Sequence, residues 1–356
     1  MLAPEDLDAA VAHGIITDAQ AKALRDLAET REKARAAALG HEERFRFMRG
    51  FNDFFFASGV LLFGVGAVYF AGTIMFGNLV AAAVIWALAE LLVGRMRLVL
   101  PGLLLVIFFV YFTSLAVPIG MWVSSFARPT FAPMGPLLDG FTGYGNAAVT
   151  TARGFIIAIA GLAFFARFSF PFALLPVAGG IVLAAMTTAR SLLPASAAEV
   201  ILLLCGLAVF AAAMAFDVSD RERVTRRSDC AFWLHLLAAP LIVHSLIWIA
   251  TAHSLTTMSN QAAAIIVAIV LVLTLVAVVI DRRALLVSTL TYLGIVIAYA
   301  LKAASVDQSK IFFATLLVLG AMVLTLGVGW LPLRRILMRL LPARLATHLP
   351  PVVPAA

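Results

Sequence analysis

The chain has 356 residues, 63% of them hydrophobic and only 13% charged, with a mean hydropathy of +1.04. A water-soluble domain carries about 25% charged residues, so these totals exclude a soluble globular protein and point to a polytopic membrane protein. The net charge of +7 does not mark a nucleic-acid binder, because the basic residues sit in short segments between apolar runs, where membrane topology is written.

Residues 1–40 read as a soluble helical hairpin. Pro4 suits the first turn of a short helix ending near His13, and Gly14 can close it in a left-handed conformation. Thr17-Asp18-Ala19-Gln20 is then a T-x-x-Q capping box, in which hydroxyl and amide satisfy each other's backbone N–H. A second helix should follow to about Leu39, with Leu24, Leu27 and Ala28 on one side and a Glu29–Lys33 pair outside. That apolar side is thin, so the hairpin is expected to dock on a protein partner or a second copy of the chain.

The stretch Gly14-Ile15-Ile16-Thr17-Asp18-Ala19-Gln20 resembles the N-terminal hairpin of uncharacterised bacterial membrane proteins. In those, a G-h-I-[S/T]-x-x-Q segment precedes a polytopic domain of unknown function. Beyond this stretch the likeness is one of hydrophobic layout. It implies a bacterial inner-membrane protein and brings no catalytic residues.

In residues 41–53, Arg44, Arg46 and Arg49 interleave with Phe45, Phe47 and Phe51, which suits an anionic membrane surface at the start of the first span. The charged first fifty residues precede any apolar run, so the expectation is a retained first span rather than a cleaved leader. Residues 54–330 form the bundle. A span takes about 20 residues, which gives about ten: 54–74, 78–94, 98–118, 153–168, 170–188, 197–216, 231–251, 261–280, 284–303 and 311–330. The fourth and fifth are short and separated by Arg167, so they could be a broken pair. The expected fold class is all-α, a polytopic transmembrane bundle carrying a small cytoplasmic hairpin, with a basic cytoplasmic tail over 331–356.

With the amino terminus in the cytoplasm, every basic residue except Arg128, Arg153, Arg190, Lys302 and Lys310 falls on the inner side. That asymmetry places both termini inside. The loop DVSDRERVTRRSD, Asp217 to Asp229, then reads as a solvated cytoplasmic loop carrying topogenic charge rather than a partner site, and the turn Asp281-Arg282-Arg283 as another inner segment. The outer loop 119–152, rich in Pro, Gly and aromatics, reads either as a lid over helix ends or as a substrate or partner element. Cys205 and Cys230 form no CxxC and read as structural thiols.

Ionisable and polar groups inside spans are the candidate site. His235 and His244 are nine residues apart, on opposite faces of a helix and about 13 Å apart along its axis, so they do not form one ligand pair. Trp233 and Trp248 look like the two aromatic belts of their span; His235 would lie near water and His244 deeper. Pro240 leaves the Leu236 carbonyl without its helical donor, a gap Ser245 or a neighbouring helix could fill. Glu90 should pair with Arg95 or Arg97 or serve as a coupling carboxylate. Tyr292 and Tyr299 share a helix face suited to interhelical hydrogen bonds. Pro171, Pro176, Gly179 and Gly180 make the fifth span the most breakable, and broken helices build transporter sites. Gly154, Ala158 and Gly161 form a close-packing stripe in the fourth.

No phosphate-binding, dinucleotide-binding, zinc-protease or nucleophile-elbow motif occurs, and no cofactor is expected. The leading expectation is a structural, assembly or regulatory membrane protein that docks through residues 1–40. The alternative is a small-solute transporter with a midplane site near the fifth span, lined by Glu90 or His244. Its ten spans resemble the drug/metabolite exporters in architecture, though no repeat relates the halves. An enzyme has little support.

Overall fold

The computed structural model describes residues 7, 10–39, 51–72, 76–116, 147–194, 197–220, 223, 225–251, 259–342 and 349–350; for 28, 29 and 31–39 it describes backbone alone. The expected Glu29–Lys33 pair, the basic-aromatic segment up to residue 50, residues 117–146 of the outer loop and most of the tail lie outside these.

The hairpin turn is built as its sequence dictates. Gly14 adopts φ +68°, a conformation glycine reaches without steric penalty; its N–H donates to the Val11 carbonyl at 2.9 Å, and that of Ile15 to Ala10 at 2.9 Å. The Thr17 N–H donates to Gln20 Oε1 at 2.9 Å and the Gln20 N–H to Thr17 Oγ1 at 3.3 Å, both arms of a capping box. Helix α1, Asp18–Leu39, follows.

Every regular element among the described residues is helical. In chain order come α2 (Phe51–Ala71), α3 (Gly77–Ala89, continuing as a π-helical turn over Glu90–Arg95) and α4 (Leu100–Ala116). Then follow α5 (Ala147–Phe168), α6 (Leu174–Leu192, after a 3-10 turn at Pro171–Ala173), α7 (Ala198–Ser219) and α8 (Arg226–Ala250). The series ends with α9 (Asn260–Ile280), α10 (Leu286–Ala303, after a 3-10 turn at Arg283–Leu285) and α11 (Gln308–Leu340). Among the described residues, nine of these segments are long and apolar enough to cross a bilayer; α4, with 17 residues, is a shorter apolar helix. The molecule is an all-α polytopic bundle.

Two expectations about element ends are corrected. The fourth and fifth spans are complete, 22 residues each, because the fourth begins at Ala147, inside the stretch assigned to the outer loop. The fifth is unbroken at Gly179 and Gly180. Pro171 starts the 3-10 turn and Pro176 lies in the first turn of α6, where a missing N–H costs little. Gly180 is spent on packing: a Cβ on Gly154 would meet the Gly180 carbonyl at 2.6 Å and the Ala184 nitrogen at 2.8 Å, so α5 and α6 touch backbone to backbone. Where lipid removes the hydrophobic drive between helices, such small-residue contacts hold them together.

The first half packs around aromatic rings. Trp86 of α3 lies 5.0 Å from Phe109 of α4 and 5.3 Å from Phe168 of α5, and Ile85, Leu105, Phe112 and Phe164 are fully buried beside them. The second half is organised on α8, whose apolar window is 56% buried against 6% for α11. Outward positions such as Leu62, Leu324 and Val328 are apolar and exposed, which is the surface a bilayer covers. Helix α11 runs past the expected end of its span, through Pro332 to Leu340, and carries Arg334 inward to 1% exposure.

Candidate functional site

The ends of α7, α8, α9 and α11 converge on a buried lattice of charges. Asp217 lies in the last turn of α7 and Asp220 caps it; both are buried. Asp281 closes α9 in a left-handed conformation, φ 58°, which Asp tolerates better than most residues. That turn projects Asp281 and Arg282 into the bundle rather than into water.

Arg282, 1% exposed, places Nε 3.1 Å from each Asp217 oxygen. Its Nη2 donates to Asp217 Oδ1 as well, and to the carbonyl and hydroxyl of Ser228 at 3.2 Å each. His235 Nε2 lies 2.9 Å from Asp217 Oδ2. Next along the chain, Asp281 accepts from Trp330 Nε1 at 2.7 Å and from Arg223 Nη1 at 3.1 Å, and its Oδ2 is 3.6 Å from Arg334 Nη1. Arg334 Nη2 donates to the Pro350 carbonyl at 2.7 Å, and Arg223 Nη2 to that of Ile280 at 3.0 Å. Asp220 Oδ2 accepts from the N–H and hydroxyl of Thr225 at 2.9 and 2.6 Å.

Physics explains the density of partners. A lone charge out of water is very costly, so charges persist there only when paired and hydrogen-bonded. Guanidinium forks meet carboxylates with two bonds at once, and three arginines here face two aspartates, Asp217 and Asp281. Residues 281 and 282 divide the work, one binding α11 and Arg223, the other α7 and α8. Read from sequence, the 217–229 loop was a solvated topogenic segment and His235 lay near water. The structure corrects this at Asp217, Asp220, Ser228 and His235, which are buried, His235 fully so, while Arg226, Arg227 and Asp229 of the loop are exposed. His235 Nδ1 has no hydrogen-bond partner among the described residues.

A cavity of about 590 Å³ opens beside this lattice, between α6, α8 and α10, with Leu202 of α7 at its edge. Its floor is one face of α8, where Leu236, Pro240 and His244 recur at every fourth residue. Thr187 and Arg190 of α6 line one wall, Ser288 and Tyr292 of α10 the other. His244 Nδ1 and the Tyr292 hydroxyl share a 2.6 Å hydrogen bond across the floor. The Leu236 carbonyl faces Pro240, which has no N–H to offer it, and Ser245 donates instead to the Leu241 carbonyl at 2.7 Å. The volume lies within the roughly 300–1,000 Å³ of small-molecule sites.

Of the residues singled out by sequence, the cavity unites Pro240, His244 and Tyr292. His235 belongs to the lattice. Glu90 pairs at 2.6 Å with Arg167, not with Arg95 or Arg97, and the pair is half-exposed. Tyr299 donates to Asn260 Oδ1 at 2.8 Å. Pro176, Gly179 and Gly180 do not line the cavity. Sequence reasoning missed Asp217, Arg223, Asp281, Arg282, Trp330 and Arg334. The available signal was the placement of Asp217 and Asp281 at the last turns of apolar runs, with Trp330 and Arg334 one turn apart on α11. Among the described residues no three His, Cys, Asp or Glu side chains are placed to hold a metal.

No family model matches the chain, and no curated protein or solved structure matches it either.

Proposed function

We propose that the protein is a small-solute carrier of the bacterial inner membrane, with both termini in the cytoplasm and the cavity beside α8 as its substrate site. One observation carries this: a ligand-sized cavity with a polar His244–Tyr292 pair on its floor reaches from Leu236, next to the charged lattice, to Arg190 near the far end of α6. Carriers need a site that is blocked on one side at a time, and a dense plug of ion pairs is a barrier that reforms reversibly. Inner-side placement of the lattice follows from the basic asymmetry of the loops. Uptake into reconstituted vesicles tests the reading. A panel of cavity-sized solutes should include one that crosses faster than in empty vesicles, and Ser288→Trp, which fills the cavity, should abolish the gain. Equal rates with and without protein across the panel would reject it.

A second reading, docking of a partner or second copy through residues 1–40, is supported by Ile15, Leu24 and Leu27, which remain 74%, 43% and 49% exposed. The hairpin's resemblance to those of bacterial membrane proteins accords with either role.

A further inference from the structure

We infer that the cavity is selective for an acidic single-chain amphiphile, its carboxylate or phosphate head on Arg190 and its chain along α8. This rests on the carrier reading and names its substrate class. Arg190 is the one charged residue on the described wall. It is exposed and makes no ion pair among the described residues. Glu199 acts electrostatically on His244 and Tyr292 but does not line the space.

Below the guanidinium the wall turns apolar, with Met186, Leu183 and Val182 spaced down α6 over a rise of about 12 Å from Arg190 to Val182. Charge at one end and hydrocarbon along the rest is the pattern of an amphiphile. A guanidinium recognises carboxylate and phosphate alike through its paired donors. The polar groups on the floor do not ask for a second charge, because His244 and Tyr292 satisfy each other. On the opposite wall Ser288 is partly exposed, and its Oγ, itself buried, has no hydrogen-bond partner among the described residues.

Trp248 reports occupancy, since its ring centroid is 5.6 Å from that of His244. The protein is placed in nanodiscs of zwitterionic phosphatidylcholine, and quenching is followed with bromododecanoate, bromododecyl phosphate and bromododecyl-trimethylammonium. Both acids should quench saturably, Trp248→Phe should remove that component, and Arg190→Gln should weaken the acids by about tenfold or more while Arg190→Lys largely restores them. Comparing the two acids tells carboxylate from phosphate as the preferred head. Equal binding of the cationic probe, or unchanged affinity in Arg190→Gln, would overturn the selectivity and leave the carrier site standing. Absence of saturable quenching by all three probes would overturn both.

Discussion

His235 and Leu236 are neighbours in the chain with duties on different faces of α8. His235 Nε2 reaches Asp217 at 2.9 Å inside the charged lattice, while Leu236 lines the cavity floor. A step of one residue turns a helix by about 100°, so a single segment of the most buried span touches both features. A movement of α8 at Leu236 that reshapes the cavity floor should therefore also disturb the Asp217–Arg282–His235 bonds. In the carrier reading this is the physical link between occupancy and opening.

The lattice should behave as a unit. Asp217→Ala strands the guanidinium of Arg282 and should lower stability by about 3–5 kcal/mol. Arg282→Met leaves Asp217 with His235 alone and should cost a similar amount. Thermal unfolding in detergent of both variants and the double variant checks this: the double should lose far less than the sum. Strict additivity would mean that the two side chains do not interact.

Two adjacent glycines should respond in opposite ways. A Cβ on Gly179 meets nothing within 4 Å, whereas one on Gly180 collides with the Gly154 carbonyl and meets the Ala158 nitrogen at 2.7 Å. Gly179→Ala should leave stability unchanged or raise it by about 0.4–1 kcal/mol. Gly180→Ala must push α5 and α6 apart, and overpacking of that kind costs about 1–3 kcal/mol. Unfolding midpoints of the two variants that coincide would contradict the backbone contact.

Tyr292→Phe removes the hydroxyl from His244. Such interhelical bonds average about 0.6 kcal/mol and reach roughly 1.7 in membrane proteins, so the stability loss should be small. The emission of Trp248, packed on His244, should shift as the imidazole is released. A variant with unaltered emission and stability would mean that the pair does not form in the bilayer.

Deleting residues 1–40 should leave the bundle inserted, because the spans from α2 onward pack on one another without it. If the hairpin docks a partner or a second copy, the truncated chain should lose a co-purifying protein or run at lower oligomeric mass by light scattering. Identical assembly before and after deletion would rule out the docking role.

Most membrane segments were readable from sequence because they are apolar runs of span length, and such a run carries its own secondary structure. The capping box was readable for the same reason: Thr17 and Gln20 are local. The lattice was not, since Asp217 meets Arg282 across 65 residues and a charge at the end of an apolar run looks alike whether it faces water or a partner. Counting arginines predicts a topology and conceals the pairing. Glycine and proline in the fifth span suggested a break, but Pro171 and Pro176 fall at its start and Gly180 meets Gly154, a pairing no local pattern encodes. The cavity itself is drawn from four helices, α6, α7, α8 and α10, so only Pro240, His244 and Tyr292 stood out beforehand.

Side-specific labelling at Leu236 tests the central claim most directly. In a chain with Cys205 and Cys230 changed to serine, Leu236→Cys is exposed to a small, membrane-impermeant thiol reagent in sealed vesicles of known orientation. With the lattice intact, the thiol should react from the Arg190 side and be protected from the arginine-rich side, and Asp217→Ala should remove that protection. Reaction from the arginine-rich side with Asp217 in place, or no reaction from either side, would show that no one-ended cavity rests on the lattice.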